Sequence, residues 1–309
     1  MSGAVAVGVF DGLHRGHEAL IARAVARAAG GPCVAVSFDP HPDIVLAKEF
    51  HARPPLTPIP EKQERLAALG AELQVLPFTR ELAALAPEAF VDAHLVGPHR
   101  PSWLVVGEDF ALGRGRAGNV ERLRAIGRER GFEVEAVPLL SEHGEPITSS
   151  RIREHLAAGR VTDAARLLGR RFSLSGLVVR GDGLGRKLGW PTANLLLHDE
   201  KCLPSLGIYA VWAREDGAGD WLPGAMSVGV RPTFGGQAVT LEVHLIDWDG
   251  DLYGREVEVQ FVDWLRAELK FDGPEALIEA IQADVMQARQ RLASAPAHGT
   301  APAPATPGK

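Results

Sequence analysis

The stretch Val5-Ala6-Val7-Gly8-Val9-Phe10-Asp11-Gly12-Leu13-His14-Arg15-Gly16-His17 constrains this chain more than any other, because it hands a buried strand over to a helix within a glycine-bracketed turn. Val5, Val7 and Val9 make a β-branched apolar run, the pattern of a short buried strand. From Glu18 to Ala28 the apolar spacing becomes helical and puts Leu20, Ile21, Ala24 and Ala28 on one face. His14 and His17 stand three apart at the start of that helix, so they share a face. The first helical turn offers free N–H groups and the positive end of the dipole, which suit an anion. The turn from Phe10 through Gly12 to His17 therefore predicts a phosphate site in which two imidazoles and backbone amides meet one polyanion. A metal site is disfavoured, since no third ligand follows at a zinc-like spacing.

Length and charge narrow what surrounds this turn. A chain of 309 residues suits two domains, each able to bury its own core. A formal charge of -6 argues against a protein that wraps nucleic acid. Two distant cysteines, Cys33 and Cys202, make neither a disulfide framework nor a metal knuckle and fit a reducing compartment. No apolar run reaches membrane-spanning length and no leader-like segment opens the chain, so a cytoplasmic protein is expected.

Strand and helix patterns then alternate. A second buried strand, 32–38, ends in Asp39-Pro40-His41-Pro42, whose prolines hold a third histidine at the strand end. Residues 50–60 are proline-rich and read as a mobile or extended connection. Helical spacing covers 61–69 and 87–95, and strand spacing covers 72–76, 103–106 and 132–137. That alternation predicts a parallel sheet with helices on both faces, with ligands at the carboxyl ends of its strands. Gly113-Arg114-Gly115-Arg116-Ala117-Gly118 spells the dinucleotide fingerprint, but it starts several residues beyond the strand and sets arginines where pyrophosphate would lie. A flexible basic loop over a phosphate-bearing substrate is the better reading. Thr148-Ser149-Ser150-Arg151-Ile152-Arg153 suits either an ordinary N-cap or hydroxyls and guanidinia aimed at phosphate.

From Phe172 the periodicity changes to two, and short β-rich runs recur to about residue 262, the signature of a small antiparallel barrel. The expected division is 1–168 and 169–293. Inside the second part lies Gly181-Asp182-Gly183-Leu184-Gly185-Arg186-Lys187-Leu188-Gly189-Trp190-Pro191-Thr192-Ala193-Asn194. Its glycines admit close approach of phosphate, Arg186 and Lys187 bring positive charge, and Thr192 and Asn194 offer neutral oxygens of the kind magnesium accepts. A plain glycine-rich hairpin loop is the alternative for the glycines alone. Alternation puts Leu241, Val243 and Leu245 on one face and Glu242, His244 and Ile246 on the other, so Glu242 reads either as an ordinary solvent-facing strand glutamate or, beside a nucleotide loop, as a candidate general base. Residues 274–292 read as an amphipathic helix packed on the barrel, and 294–309 as a disordered Pro/Ala tail.

Taken together, these motifs resemble the prokaryotic bifunctional riboflavin kinase/FAD synthetase family over about residues 4–292. Gly8 to His17, Phe38-Asp39-Pro40-His41-Pro42, Val106-Gly107-Glu108-Asp109-Phe110 and Thr148 to Arg153 resemble its nucleotidyltransferase motifs. Gly189-Trp190-Pro191-Thr192-Ala193-Asn194, Arg231-Pro232-Thr233-Phe234 and Leu241-Glu242-Val243-His244 resemble its kinase motifs. The resemblance implies a Rossmann-like nucleotidyltransferase domain followed by a β-barrel kinase domain with a C-terminal helix. It implies ATP as co-substrate, Mg2+, and riboflavin and FMN as the other small-molecule substrates, with no nucleic acid or membrane partner. Glu242 becomes the base on the terminal ribityl hydroxyl, with Thr192 and Asn194 on magnesium and Gly181, Gly183, Gly185 and Lys187 on ATP. His14 and His17 serve adenylyl transfer with Phe10 and Gly12, Ser149, Ser150 and Arg153 bind phosphates, and His41 and Asp109 lie near the flavin phosphate or adenine. Three departures stand out. Few residues precede the first strand, so its outer support is expected to be missing. Pro146 replaces a common basic residue, and Leu112 a common phenylalanine.

Overall fold

The computed structural model describes residues 3–47, 54–181, 183–215, 219–233 and 236–297. These form two compact units, residues 1–149 and 150–309.

In the first unit β1 (Ala4–Val7), β2 (Cys33–Asp39), β3 (Glu72–Pro77), β4 (Trp103–Gly107) and β5 (Glu133–Val137) make one parallel sheet in the order β3-β2-β1-β4-β5. Because β1 is central, both its faces are buried, which is why it reads as an unbroken apolar run. Its two faces differ in size. Val5 and Val7 join Val34, Val36 and Phe38 in a bulky layer against Phe90, Leu95, Leu123 and Ile126. Ala4, Ala6 and Ala35 are small and let α1 (Arg15–Ala28) pack closely through Leu20, Ile21 and Ala24. Leu66 of α3 (Ile59–Ala68) joins that second layer.

Several expectations need correcting. The first strand stops at Val7, and Val9 lies in the turn, because Phe10 and Leu13 both take left-handed backbone conformations that no strand continues. The support expected to be missing beside β1 is present: Gly3 accepts from the amides of Ser102 and Trp103, and Ala4 donates to the carbonyl of Pro32. The described part of 50–60 is anchored, with Leu56 and Thr57 both buried; residues 48–53 lie outside the described residues. The helix expected at 87–95 opens as Pro87–Val91 and widens into a π-helical turn at Asp92–Val96. The basic loop 113–118 is closed by pairing of Leu112 with Gly118, and Arg116 donates to the carbonyl of Asp109. Beyond α4 (Val120–Arg130) and β5, α5 (Ser149–Ala157) begins at the boundary between the units.

The second unit carries α6 (Val161–Leu168) and a closed antiparallel barrel of β6 (Ser173–Val179), β7 (Ala193–Leu197), β8 (Gly207–Glu215), β9 (Leu222–Thr233), β10 (Gly236–Leu245) and β11 (Glu256–Arg266), ordered β6-β7-β10-β9-β8-β11. Leu174, Tyr209, Val211, Met226, Val243, Val259 and Phe261 fill its interior. Outside, α7 (Pro274–Ala293) covers Ala210, Ala225 and Ile246 with Val285, Ala288 and Leu292. A bidentate pair from Arg266 to Asp284, at 2.8 and 2.7 Å, clips α7 to β11. The start of the expected tail is tied down: Arg171 donates to the carbonyls of Ala295, Pro296 and Ala297, and Trp212 donates to that of Ala295. Residues 298–309 lie outside the described residues.

Candidate active sites

In the first unit the turn after β1 is shaped by backbone geometry. Gly8 donates to Val36 of β2 at 3.1 Å, and Leu13 donates to Phe10 at 3.3 Å. Phe10, Gly12 and Leu13 have φ of 51°, 84° and 38°. His14 caps α1, its Nδ1 accepting from the amide of His17 at 3.3 Å, so the proton of its neutral ring resides on Nε2. The two imidazoles stack, centroids 3.7 Å apart at 17°. Gly16 between them has a steric reason: a Cβ there would lie 3.2 Å from the His14 ring. Phe10 is fully buried, and its ring meets that of His17 in an edge-to-face contact with centroids 5.5 Å apart.

Asp11 was not singled out by sequence reasoning, yet it holds the turn in place. Its Oδ1 accepts from the amides of Leu56 and Thr57 at 2.9 and 3.2 Å, and its carbonyl accepts from Ser149 Oγ at 2.8 Å. Ser149, the last residue of the first unit, thereby reaches the histidine turn, while Ser150 and Arg153 belong to the second unit. Asp39 ends β2, and His41 and Asp109 follow the carboxyl ends of β2 and β4, the two strands flanking β1, so both loops open on the sheet edge that carries His14. His41 caps the short helix α2 (Pro42–Leu46) through Nδ1, and Asp109 is exposed.

In the second unit Glu242 and Asn194 are register partners on β10 and β7, and Glu242 and Ser227 are partners on β10 and β9. Paired residues of antiparallel strands point to one side, so these three line the outer barrel face. Thr192 Oγ1 donates to Glu242 Oε2 at 3.0 Å. Next along β10, His244 Nδ1 contacts the carbonyl of Pro191 at 2.8 Å and its ring meets Trp190 edge-on, which fixes the Pro191-Thr192 corner. Gly181 passes so close to Asn194 that a Cβ would fall 2.5 Å from Nδ2, and a Cβ at Gly185 would fall 2.3 Å from the Trp190 carbonyl. Gly183 has a left-handed φ of 66°. The side chains of Lys187 and 231–233, and all of Asp182 and Phe234, lie outside the described residues.

A cavity of about 290 Å³ adjoins Thr192 and is walled by Val178, Arg186, Val243, Leu245 and the segment Trp248–Tyr253. Tyr253 has the guanidinium groups of Arg180 and Arg186 over its ring, each 5.8 Å from the centroid. Sequence reasoning missed this wall; the aromatic residues flanking Asp249-Gly250-Asp251 were its only sign. Among the described residues no group of three or more His, Cys, Asp or Glu could hold a metal. The oxygens of Thr192, Asn194 and Glu242 nevertheless suit a hard cation that takes its other ligands from phosphate and water. The Thr192 hydrogen goes to Glu242, which leaves that oxygen's lone pairs available.

Two family models match the chain, one described as FAD synthetase over residues 2–151 and one as riboflavin kinase over residues 168–292. The bifunctional riboflavin kinase/FMN adenylyltransferase of Pseudomonas fluorescens is 41% identical, over 94% of this chain and 93% of its own length. Those of Escherichia coli K12 and Listeria monocytogenes are 38% and 36% identical, each over 92% of this chain. A crystal structure from Streptococcus pneumoniae, named a macrolide-efflux protein, superposes with a TM-score of 0.85 at 31% identity, covering 93% of this chain and 94% of its own. Among the described residues no helix is long and apolar enough to cross a membrane. A parallel-sheet unit bearing a histidine turn, a barrel bearing a Thr–Glu pair, and relatives matched along almost their full length place this chain in the bifunctional riboflavin kinase/FMN adenylyltransferase family.

Proposed function

We propose that residues 169–293 phosphorylate riboflavin to FMN and residues 1–168 adenylylate FMN to FAD, each reaction consuming one ATP. The observation that carries the first step is the Thr192–Glu242 hydrogen bond beside the 290 Å³ cavity. Glu242 takes the proton of the terminal ribityl hydroxyl as that oxygen attacks the γ-phosphate, and ADP leaves. Gly181, Gly183 and Gly185 let backbone approach the triphosphate, with Arg186 and Lys187 supplying charge. A magnesium ion held by Thr192 and Asn194 would neutralise charge accumulating on the transferring phosphoryl group.

In the second step an FMN phosphate oxygen attacks the α-phosphate of ATP, and the bond to the β,γ-pyrophosphate breaks. No protein nucleophile is required; the protein stabilises charge and aligns the reactants. His14 and His17 donate to the phosphate oxygens, aided by the positive end of the α1 dipole and by the turn at Phe10 and Gly12. Ser149, Ser150 and Arg153 bind phosphates, and His41 and Asp109 border the flavin phosphate or adenine. A cytoplasmic setting accords with a sequence whose two distant cysteines, Cys33 and Cys202, make no disulfide framework. Incubation with riboflavin and magnesium-ATP, followed by separation of flavins, tests the reading. FMN and then FAD are expected; FMN without FAD refutes the adenylyltransferase, and unchanged riboflavin refutes the kinase.

A further inference from the structure

Among the described residues Lys62 is the one lysine or arginine that is buried, at 4% exposure. Lysine is rarely enclosed, since taking an ammonium out of water costs several kcal/mol unless partners replace the water. From α3 its Nζ donates to the carbonyl of Val9 at 2.9 Å and to Ser37 Oγ at 3.3 Å. Ser37 Oγ in turn donates to the same Val9 carbonyl at 2.8 Å. Both acceptors are neutral, and among the described residues no carboxylate lies within ion-pair distance of Nζ. Burial pulls this ammonium below the ordinary lysine range, and Asp11 and Asp39 act on it only from farther off, in the opposite sense.

The place of contact is informative. Val9 is the last residue before the left-handed Phe10, at the root of the turn that presents His14 and His17. An apolar residue would fill the space beneath β1 and β2 without the cost of desolvation. A positive charge here gains its use only when negative charge sits on the turn above.

We propose that Lys62 is a positioning residue for adenylyl transfer: it clamps the Val9 carbonyl, and so the histidine turn, and holds a positive charge beneath the bound triphosphate as negative charge moves onto pyrophosphate. This rests on the first unit being the adenylyltransferase.

The test measures FAD formation from FMN and ATP by the full chain carrying Lys62→Gln, Lys62→Met or Lys62→Arg, with the riboflavin kinase rate of each preparation normalising for enzyme. Gln keeps a hydrogen-bond donor without charge, and Arg keeps the charge. Lys62→Gln and Lys62→Met should lower kcat by about 10²-fold, the scale of losing one preorganised stabiliser of transition-state charge. KM for ATP should move less than about threefold, and Lys62→Arg should retain most of the rate. A wild-type rate in folded Lys62→Gln, or equal losses in Gln and Arg, overturns the proposal. Should the Lys62 variants fail to fold, Ser37→Ala removes one acceptor beneath the turn: a several-fold lower kcat is expected and an unchanged one overturns the proposal. A wild-type chain that makes no FAD from FMN would refute the adenylyltransferase reading itself, a different result from an active wild type matched by Lys62→Gln.

Discussion

Replacing Gly181 with alanine isolates the geometry of the proposed kinase site. Gly181 does not occupy the left-handed region, so alanine meets no backbone strain there. The added methyl, however, would sit 2.5 Å from Asn194 Nδ2 and 2.6 Å from its Cγ and Oδ1. Ordinary carbon contacts begin near 3.4 Å, so the Asn194 amide must retreat by about 0.9 Å, the difference between 3.4 and 2.5 Å. Asn194 stands opposite Glu242 in the ladder, so the shift falls on the oxygens assigned to the cation and the base. A displacement near 1 Å costs about 10²-fold in rate, or about 2.7 kcal/mol of barrier. Steady-state kinetics of FMN formation, with flavins separated by chromatography, should show that fall in kcat/KM. FAD formation from added FMN should remain normal in the same preparation. A folded Gly181→Ala chain with wild-type kcat and KM for ATP would show that Asn194 is not where phosphoryl transfer occurs.

The remaining predictions follow from other contacts. Glu242→Gln should abolish FMN formation and leave FMN-to-FAD conversion intact, whereas His17→Ala should do the reverse; equal loss of both activities in either folded variant breaks the assignment of the two reactions. Asp284→Ala leaves the Arg266 guanidinium, one-fifth exposed, without its bidentate partner on α7. It should cost the barrel unit about 2–4 kcal/mol in urea unfolding, and a change below about 0.5 kcal/mol would mean the clip is idle. Burial pushes the Cys33 thiol up from 9.0 to about 11. The folded chain therefore keeps a proton that the unfolded chain releases, so this stabilisation is complete below pH 9 and declines as pH rises to 11. Thermal melts across that range should show the decline in the wild type and a shallower one in Cys33→Ala. At pH 8 a thiol reagent should label half-buried Cys202 in the native chain and reach Cys33 only after unfolding.

Much of this architecture was legible because it is local. The apolar face of α1 consists of Leu20, Ile21, Ala24 and Ala28, as the spacing indicates, and Leu241, Val243 and Leu245 point into the barrel while Glu242 does not. The position of His14 and His17 where a strand hands over to a helix likewise follows from neighbouring residues. What holds the connecting segment 54–58 was not legible, for the converse reason. Its prolines announce a loop, but what anchors Leu56 and Thr57 is the carboxylate of Asp11, 45 and 46 residues away. The same holds for the start of the tail, where Ala295 is fixed by Arg171 and Trp212.

The sequence by itself determined two units, their sheet types, and which side chains share a face, since periodicity records the division between apolar and polar sides of each element. Only the tertiary structure decided that Ser149 meets Asp11 across 138 residues, that Lys62 lies beneath Val9, and that Trp248–Tyr253 walls the cavity beside Thr192. Such pairings depend on how distant elements pack, and a pattern with a period of two or about 3.6 residues carries no record of the segment that arrives from the far side.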